Sequence, residues 1–172
     1  LKKLLIKDNK NLISVPNINK VYKVKKKTSL VLENFIGAAF MANKIDFKKF
    51  GMFDENFFFY WEDVDLSYRI SNSKYSIILS LNAKASHKSG NSSYKNLKSI
   101  FIRKVNFRFG EYLFLYKTKK LRILKILRET SLNLIKSLLN LLFFRYNQSI
   151  SNLFNLFGIL KFLIFLINKT LK

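Results

Sequence analysis

From residue 94 to its end the chain fits one kind of backbone, the α-helix, and nothing else in the sequence constrains the fold as strongly. Between 121 and 144 the polar residues Arg122, Lys125, Glu129, Asn133, Lys136 and Asn140 recur every three or four positions. That spacing leaves a wide Leu/Ile/Phe face, the pattern of an amphipathic helix. The stretch ISNLFNLFGILKFLIFLI (150–167) is more apolar, but Asn155 and Lys161 interrupt it. It falls short of the roughly 18 uncharged residues expected of a spanning helix.

The same region is strongly basic, with 16 Lys and Arg against only Glu111 and Glu129. Aromatic rings interleave with the charges in IFIRKVNFRFGEYLFLYK (100–117), as on some nucleic-acid surfaces. The apolar content is too high for a simple basic arm, however, and no nucleic-acid-binding motif occurs, so no nucleic acid is expected as partner. An amphipathic helix with a cationic face suits an anionic membrane surface. Laid flat there, the last helix would bury Phe154, Phe157, Phe162 and Phe165 while its basic side chains snorkel to phosphates.

Before residue 94 the segments are short and punctuated. NLISVP and KVYKVKK read as short strands with Pro16-Asn17 as a turn between them. NFIGAAFMANK (34–44) reads as a buried strand whose backbone is approached closely at Gly37. DFKKFGMFDE reads as a helical turn stopped at Gly51, a helix is expected from Glu62 to about Ser71, and SIILSL (76–81) reads as a buried strand. Two regions follow, 1–93 and 94–172. The chain opens on Leu1, and LKKLLIKDNKNL lacks the apolar core of a signal peptide; the expectation is a piece of a longer protein. With no Cys, disulfides and thiolate metal sites are excluded.

The charge distribution singles out one place. The chain has a formal net charge of +22 and only ten acidic residues. Five of those, Asp54, Glu55, Glu62, Asp63 and Asp65, fall within twelve positions that contain no Lys or Arg. Solvated charge and helix capping would explain an ordinary acidic run. Here Phe57, Phe58, Phe59, Tyr60 and Trp61 precede the pair, and rings so apolar are expected to leave the water. Glu62 and Asp63 are then expected at the rim of a partly buried pocket, with carboxyl pKa values pushed upward. That is the condition for a general base working near neutral pH. Asp65 and Arg69 stand at i,i+4 on one helix face.

The stretch GMFDENFFFYWEDVDLSYRI (51–70), followed after a strand by AKASHKSGNSS (83–93), resembles the family 2 glycosyltransferases. The likeness is greatest to the rhamnosyltransferase-like members that build bacterial surface polysaccharides. IGAAFMANK (36–44) is similar to the small-residue segment preceding that block, so the likeness covers roughly residues 30 to 115. The resemblance implies an α/β fold, the acceptor-side half of a Rossmann-like GT-A domain, followed here by the helical region. It implies transfer of a sugar from a nucleotide-activated donor to a glycan or lipid-linked acceptor, with inversion. It implies Asp63 as the carboxylate that deprotonates the acceptor and Glu62 as its partner. It further implies substrate contacts at Trp61, Asp65, Gly37 and Ala38, and His87, the one histidine, as ligand of a divalent metal, Mn²⁺ or Mg²⁺. Residues 1–33 carry nothing like the family's nucleotide-binding half. For such an enzyme the expected place is the cytoplasm, peripheral on the inner face of the plasma membrane. The rival expectation is a non-enzymatic basic protein that binds membrane or nucleic acid.

Overall fold

The computed structural model describes residues 10–19, 28–88 and 96–171. It is a mixed α/β protein with one four-stranded mixed sheet and five helices among the described residues. The chain divides into two units, one of residues 1–56 with 62–91 and one of residues 57–61 with 92–172.

The first unit is built on strands β1 (Lys10–Ile18), β2 (Ser29–Leu32), β3 (Met41–Ala42) and β4 (Tyr75–Ala85), in the order β2-β4-β1-β3. β4 runs parallel to β1 and antiparallel to β2, and β1 pairs antiparallel with β3. Val/Ile/Leu-rich segments suit such inner strands, which are covered by neighbours. Leu12, Ile13, Val15, Ile77 and Leu79 from β1 and β4 pack with Phe35 and with Leu66 and Ile70 of helix α2 (Glu62–Ser71) into the core of this unit. Helix α1 (Lys44–Phe50) is capped by the Asn43 side chain, which accepts from the Ile45 and Asp46 N–H groups. It stops at Gly51, whose φ of 99° is the left-handed conformation that a helix end requires and a Cβ resists.

Two sequence readings change here. Pro16-Asn17 is no turn: β1 runs through both residues. Proline is tolerated because β3 pairs with β1 only at Ile13 and Ser14, and because the register to β4 breaks between Pro16 and Asn17. In 34–44, only Met41 and Ala42 form strand. Residues 34–40 form an irregular loop, with Gly37 and Ala38 exposed. The strand expected in KVYKVKK lies outside the described residues.

The second unit consists of α3 (Leu97–Lys117), α4 (Ile123–Leu142), α5 (Tyr146–Thr170) and residues 57–61. Asn96 caps α3 by accepting from Ser99 N–H at 2.8 Å. Ring pairs Phe101–Phe154, Phe109–Phe165 and Tyr112–Phe162, with Lys169 over Tyr116, advance together along both helices. α3 and α5 therefore run parallel. They approach closely at Gly158, where a Cβ would lie 2.6 Å from Arg108 Cβ and 2.7 Å from the Val105 carbonyl oxygen.

α4 returns against α5 along a polar seam. Ser137 and Ser149 are both buried, their hydroxyls 2.9 Å apart, and Asn155 donates to Asn133 Oδ1 at 3.2 Å. The polar stripe read from the sequence thus supplies the inner seam through Asn133, while Leu124, Leu127, Leu138 and Leu142 of α4 face outward, each at least 60% exposed. α5 likewise exposes Leu153, Phe157, Leu160, Ile164 and Ile167 at helical spacing. Water-facing helices have the opposite polarity.

The face predicted for α5 needs correction. Phe162 is fully buried against Tyr112, and Phe165 packs on Phe109. Only Phe157 of the four predicted rings belongs to the exposed stripe. α5 is also long and apolar enough, by length and composition, to cross a membrane. Lys161 does not break the apolar stripe, because its ammonium is held at 2.6 Å by Asn106 Oδ1 of α3 and lies over the Phe109 ring.

Candidate functional site

In the first unit the acidic block sits where α2 begins. Glu62, Asp63 and Asp65 load the first turn, where the helix dipole favours negative charge. Asp63 Oδ2 accepts from Gly37 N–H at 2.9 Å, and Oδ1 accepts from Val64 N–H at 2.8 Å. Ser67, one turn later and buried, donates to the Asp63 carbonyl at 2.6 Å and accepts from Phe35 N–H at 3.3 Å. Two backbone donors of the 34–40 loop are thus fastened to α2, one on Asp63 and one on Ser67. Sequence reasoning singled out Gly37, as part of a buried strand, but missed Ser67, whose only signal was its i+4 spacing from Asp63.

A Cβ on Gly37 would come to 3.4 Å from Asp63 Cβ. Ala38 follows Gly37 on the exposed stretch of the loop.

Glu62 is partly buried, and its Oε2 is buried without a hydrogen-bond partner among the described residues. Burial pushes its carboxyl above the ordinary value; its own backbone N–H draws it partly back, and the Asp63 charge adds to the rise. Asp65 has another position: it is 2% exposed and pairs with Arg69 Nε at 2.8 Å. Arg69 also donates to the Met52 carbonyl at 2.6 Å and lies over the Phe50 ring. The i,i+4 pair read from the sequence ties α2 to the segment that follows α1.

His87 lines a cleft of about 220 Å³ together with Asn19, Asn34, Phe35 and Ile36. Ile36 is the neighbour of Gly37, so the cleft and the Asp63 clamp share one loop. The His87 backbone is fixed from both sides by one side chain: Asn19 Nδ2 donates to His87 O, and His87 N–H donates to Asn19 Oδ1, both at 3.0 Å. Among the described residues no three His, Asp or Glu side chains stand close enough together to hold a metal. His87 offers a single imidazole to the cleft.

Trp61 belongs to the second unit. It packs against Phe107 and Phe114 and covers Gly110, where a Cβ would lie 2.9 Å from Trp61 Cδ1. Tyr60 and Trp61 both adopt positive φ, 70° and 72°. For bulky residues that is strained backbone, costing about 1–3 kcal/mol each, sustained only where surrounding packing enforces it. The aromatic run is not uniformly shielded, contrary to expectation: Phe57 is buried, but Phe58 is 76% exposed and Phe59 43%. The consecutive left-handed residues interrupt any regular repeat that could turn all five rings inward. No known protein family, no curated protein and no solved structure matches this chain at a significant level.

Proposed function

We propose that this chain carries the acceptor side of a sugar-transfer site in a Rossmann-like GT-A domain. It takes a sugar from a nucleotide-activated donor to a glycan or lipid-linked acceptor, with inversion. The observation that carries the reading is the Asp63 carboxylate, clamped by Gly37 N–H, on the loop that also walls the His87 cleft. The resemblance of the surrounding block supplies the reaction class.

In this reading the acceptor hydroxyl lies against Asp63, which takes its proton as the hydroxyl oxygen attacks the anomeric carbon. The new glycosidic C–O bond forms on one face of the sugar. On the opposite face the bond to the diphosphate oxygen breaks, and the nucleoside diphosphate leaves with the electron pair. Gly37 N–H and Val64 N–H fix the two oxygens of the base, which keeps it aimed without a reorganisation step. Glu62, beside Asp63 in the first turn of α2, positions the acceptor by hydrogen bonding. A divalent ion on the donor diphosphate would act as Lewis acid, with His87 giving one ligand; no step above is routed through it. If His87 has that role, His87→Ala weakens the Mn²⁺-dependence of nucleoside diphosphate binding, measured by calorimetry. Equal metal dependence in both proteins removes His87 from the site.

The membrane part of the reading rests on the outward apolar faces of α4 and α5 together with the basic charge of the helical region. α3 runs along α5 carrying Lys98, Arg103, Lys104 and Arg108, so a crossing α5 would draw those cations into hydrocarbon, at about 3 kcal/mol each at mid-bilayer. Contact in the membrane plane, on the cytoplasmic face, avoids that cost. The test of the whole reading is the full-length protein assayed against a panel of nucleotide sugars with lipid-linked and soluble acceptors. Transfer from one donor supports it, and absence of both transfer and donor binding refutes it. Flotation with vesicles of rising anionic lipid content tests the membrane part separately. Binding that rises with that content supports the reading, and failure to float with anionic vesicles refutes it.

A further inference from the structure

The second unit holds a cleft of about 480 Å³ that sugar transfer does not use. Arg103, Lys104 and Arg108 of α3 line it, with Tyr60 and Phe107 as aromatic walls and Asn155 of α5 at its polar end. Among the described residues no acidic side chain lines it. Lys104 and Arg108 are an i,i+4 like-charge pair, which destabilises a helix in the absence of a counter-charge.

The nearby carboxylate is already committed. Glu111 Oε2 takes Arg108 Nη1 at 2.7 Å, and Oε1 takes Lys125 Nζ at 2.7 Å. Among the described residues no carboxylate pairs with Arg103 or Lys104, and Arg103 spends its Nε on the Ser99 carbonyl at 3.3 Å. Arg108 Nε is buried with no hydrogen-bond partner among the described residues. Tyr60, whose strained backbone was described above, meets Phe107 edge-to-face with ring centroids 5.6 Å apart. Two cations with no carboxylate partner among the described residues, Arg103 and Lys104, beside the Tyr60–Phe107 ring pair, are the complement of a phosphoryl group carried on an organic molecule.

We infer that this cleft binds a phosphoryl or diphosphate group, with its organic portion against Tyr60 and Phe107. The ligand comes either from a lipid headgroup or from a soluble phosphate compound. The inference rests on the second unit alone and stands whether or not the chain transfers sugar.

Trp61, the one tryptophan of the chain, packs on Phe107 and so reports on the cleft wall. The experiment is a titration of the complete chain followed by Trp61 emission, in zwitterionic detergent for the soluble ligand and detergent-free for the vesicles. One arm uses inorganic pyrophosphate. The other uses vesicles containing phosphatidic acid, compared with phosphatidylglycerol at matched surface charge. The test variant is Arg103→Gln with Lys104→Gln; the control, Lys119→Gln with Lys120→Gln, removes the same charge outside the cleft. Saturable binding in either arm, weakened about tenfold or more in the cleft variant and less than about twofold in the control, bears the inference out. Pyrophosphate binding identifies a soluble-type ligand, and binding to phosphatidic acid alone identifies a headgroup. Equal weakening by both variants means general charge attraction and overturns the site, as does absence of binding in both arms.

Discussion

Replacing Gly158 with alanine puts a methyl group where α3 and α5 already touch. The added carbon would stand 2.6 Å from Arg108 Cβ and 2.7 Å from the Val105 carbonyl oxygen. Relaxed carbon contacts need about 3.5 Å or more, so the helices must part by roughly 1 Å locally. The Val105 oxygen is backbone and cannot rotate out of the way. Overpacking of this kind costs about 1–3 kcal/mol, toward the upper end where backbone must move. Alanine returns about 1 kcal/mol of helix propensity, leaving a net loss of about 2 kcal/mol. For a chain of this size that corresponds to a fall in Tm of about 4–8 °C. The separation also loosens the Lys161–Asn106 hydrogen bond and the Tyr112–Phe162 stack, which bridge the same two helices. Thermal unfolding by circular dichroism, with detergent held constant, measures the shift. An unchanged or higher Tm would refute the close crossing and the α3–α5 packing built on it.

Asp65→Asn should lower stability by about 2 kcal/mol, because it leaves the partly buried Arg69 guanidinium without its charged partner; an intact Tm with lost activity would instead assign Asp65 to substrate. Glu62 has a folded-state pKa above its ordinary value, so the folded protein holds the extra proton and the stability this confers is lost as pH rises through the folded-state pKa. Glu62→Gln is therefore expected to flatten the stability profile between the ordinary carboxylate pKa and neutrality, and to unfold at higher temperature than wild type at neutral pH. A mutant profile parallel to wild type would show that Glu62 does not carry that dependence.

The parts of the fold legible in the sequence are those whose causes are local. Glu62–Ser71 is a helix because three acids meet its dipole and Asp65 reaches Arg69 one turn on. α1 ends at Gly51 because a helix terminus needs a left-handed residue there. Pro16 misled because its tolerance depends on β3 stopping short of it, which is a fact of tertiary pairing. The 34–40 loop misled for a related reason: its N–H groups bond α2 side chains instead of a neighbouring strand. In the helical region the 3.6-residue period was visible, but period alone does not say which face turns inward. That choice follows from Gly158 and from the Ser137–Ser149 and Asn133–Asn155 seam, whose partners lie far apart in sequence. At the site, Gly37 stood out in the sequence as a small residue, but its bond to Asp63, Ser67 and the Asn19–His87 clamp needed three dimensions.

The proposed role of Asp63 as proton acceptor is tested most directly by Asp63→Asn in the full-length protein. The amide keeps the shape and one oxygen to accept from Gly37 N–H but gives up the bond from Val64 N–H, a cost of about 1 kcal/mol that leaves the fold and donor binding in place. Single-turnover sugar transfer is expected to fall by at least ~10²–10⁴-fold, the contribution of a positioned general base. Turnover above about half of wild type, with the fold intact, would contradict the assignment and return Asp63 to a residue that only ties the Gly37 loop to α2.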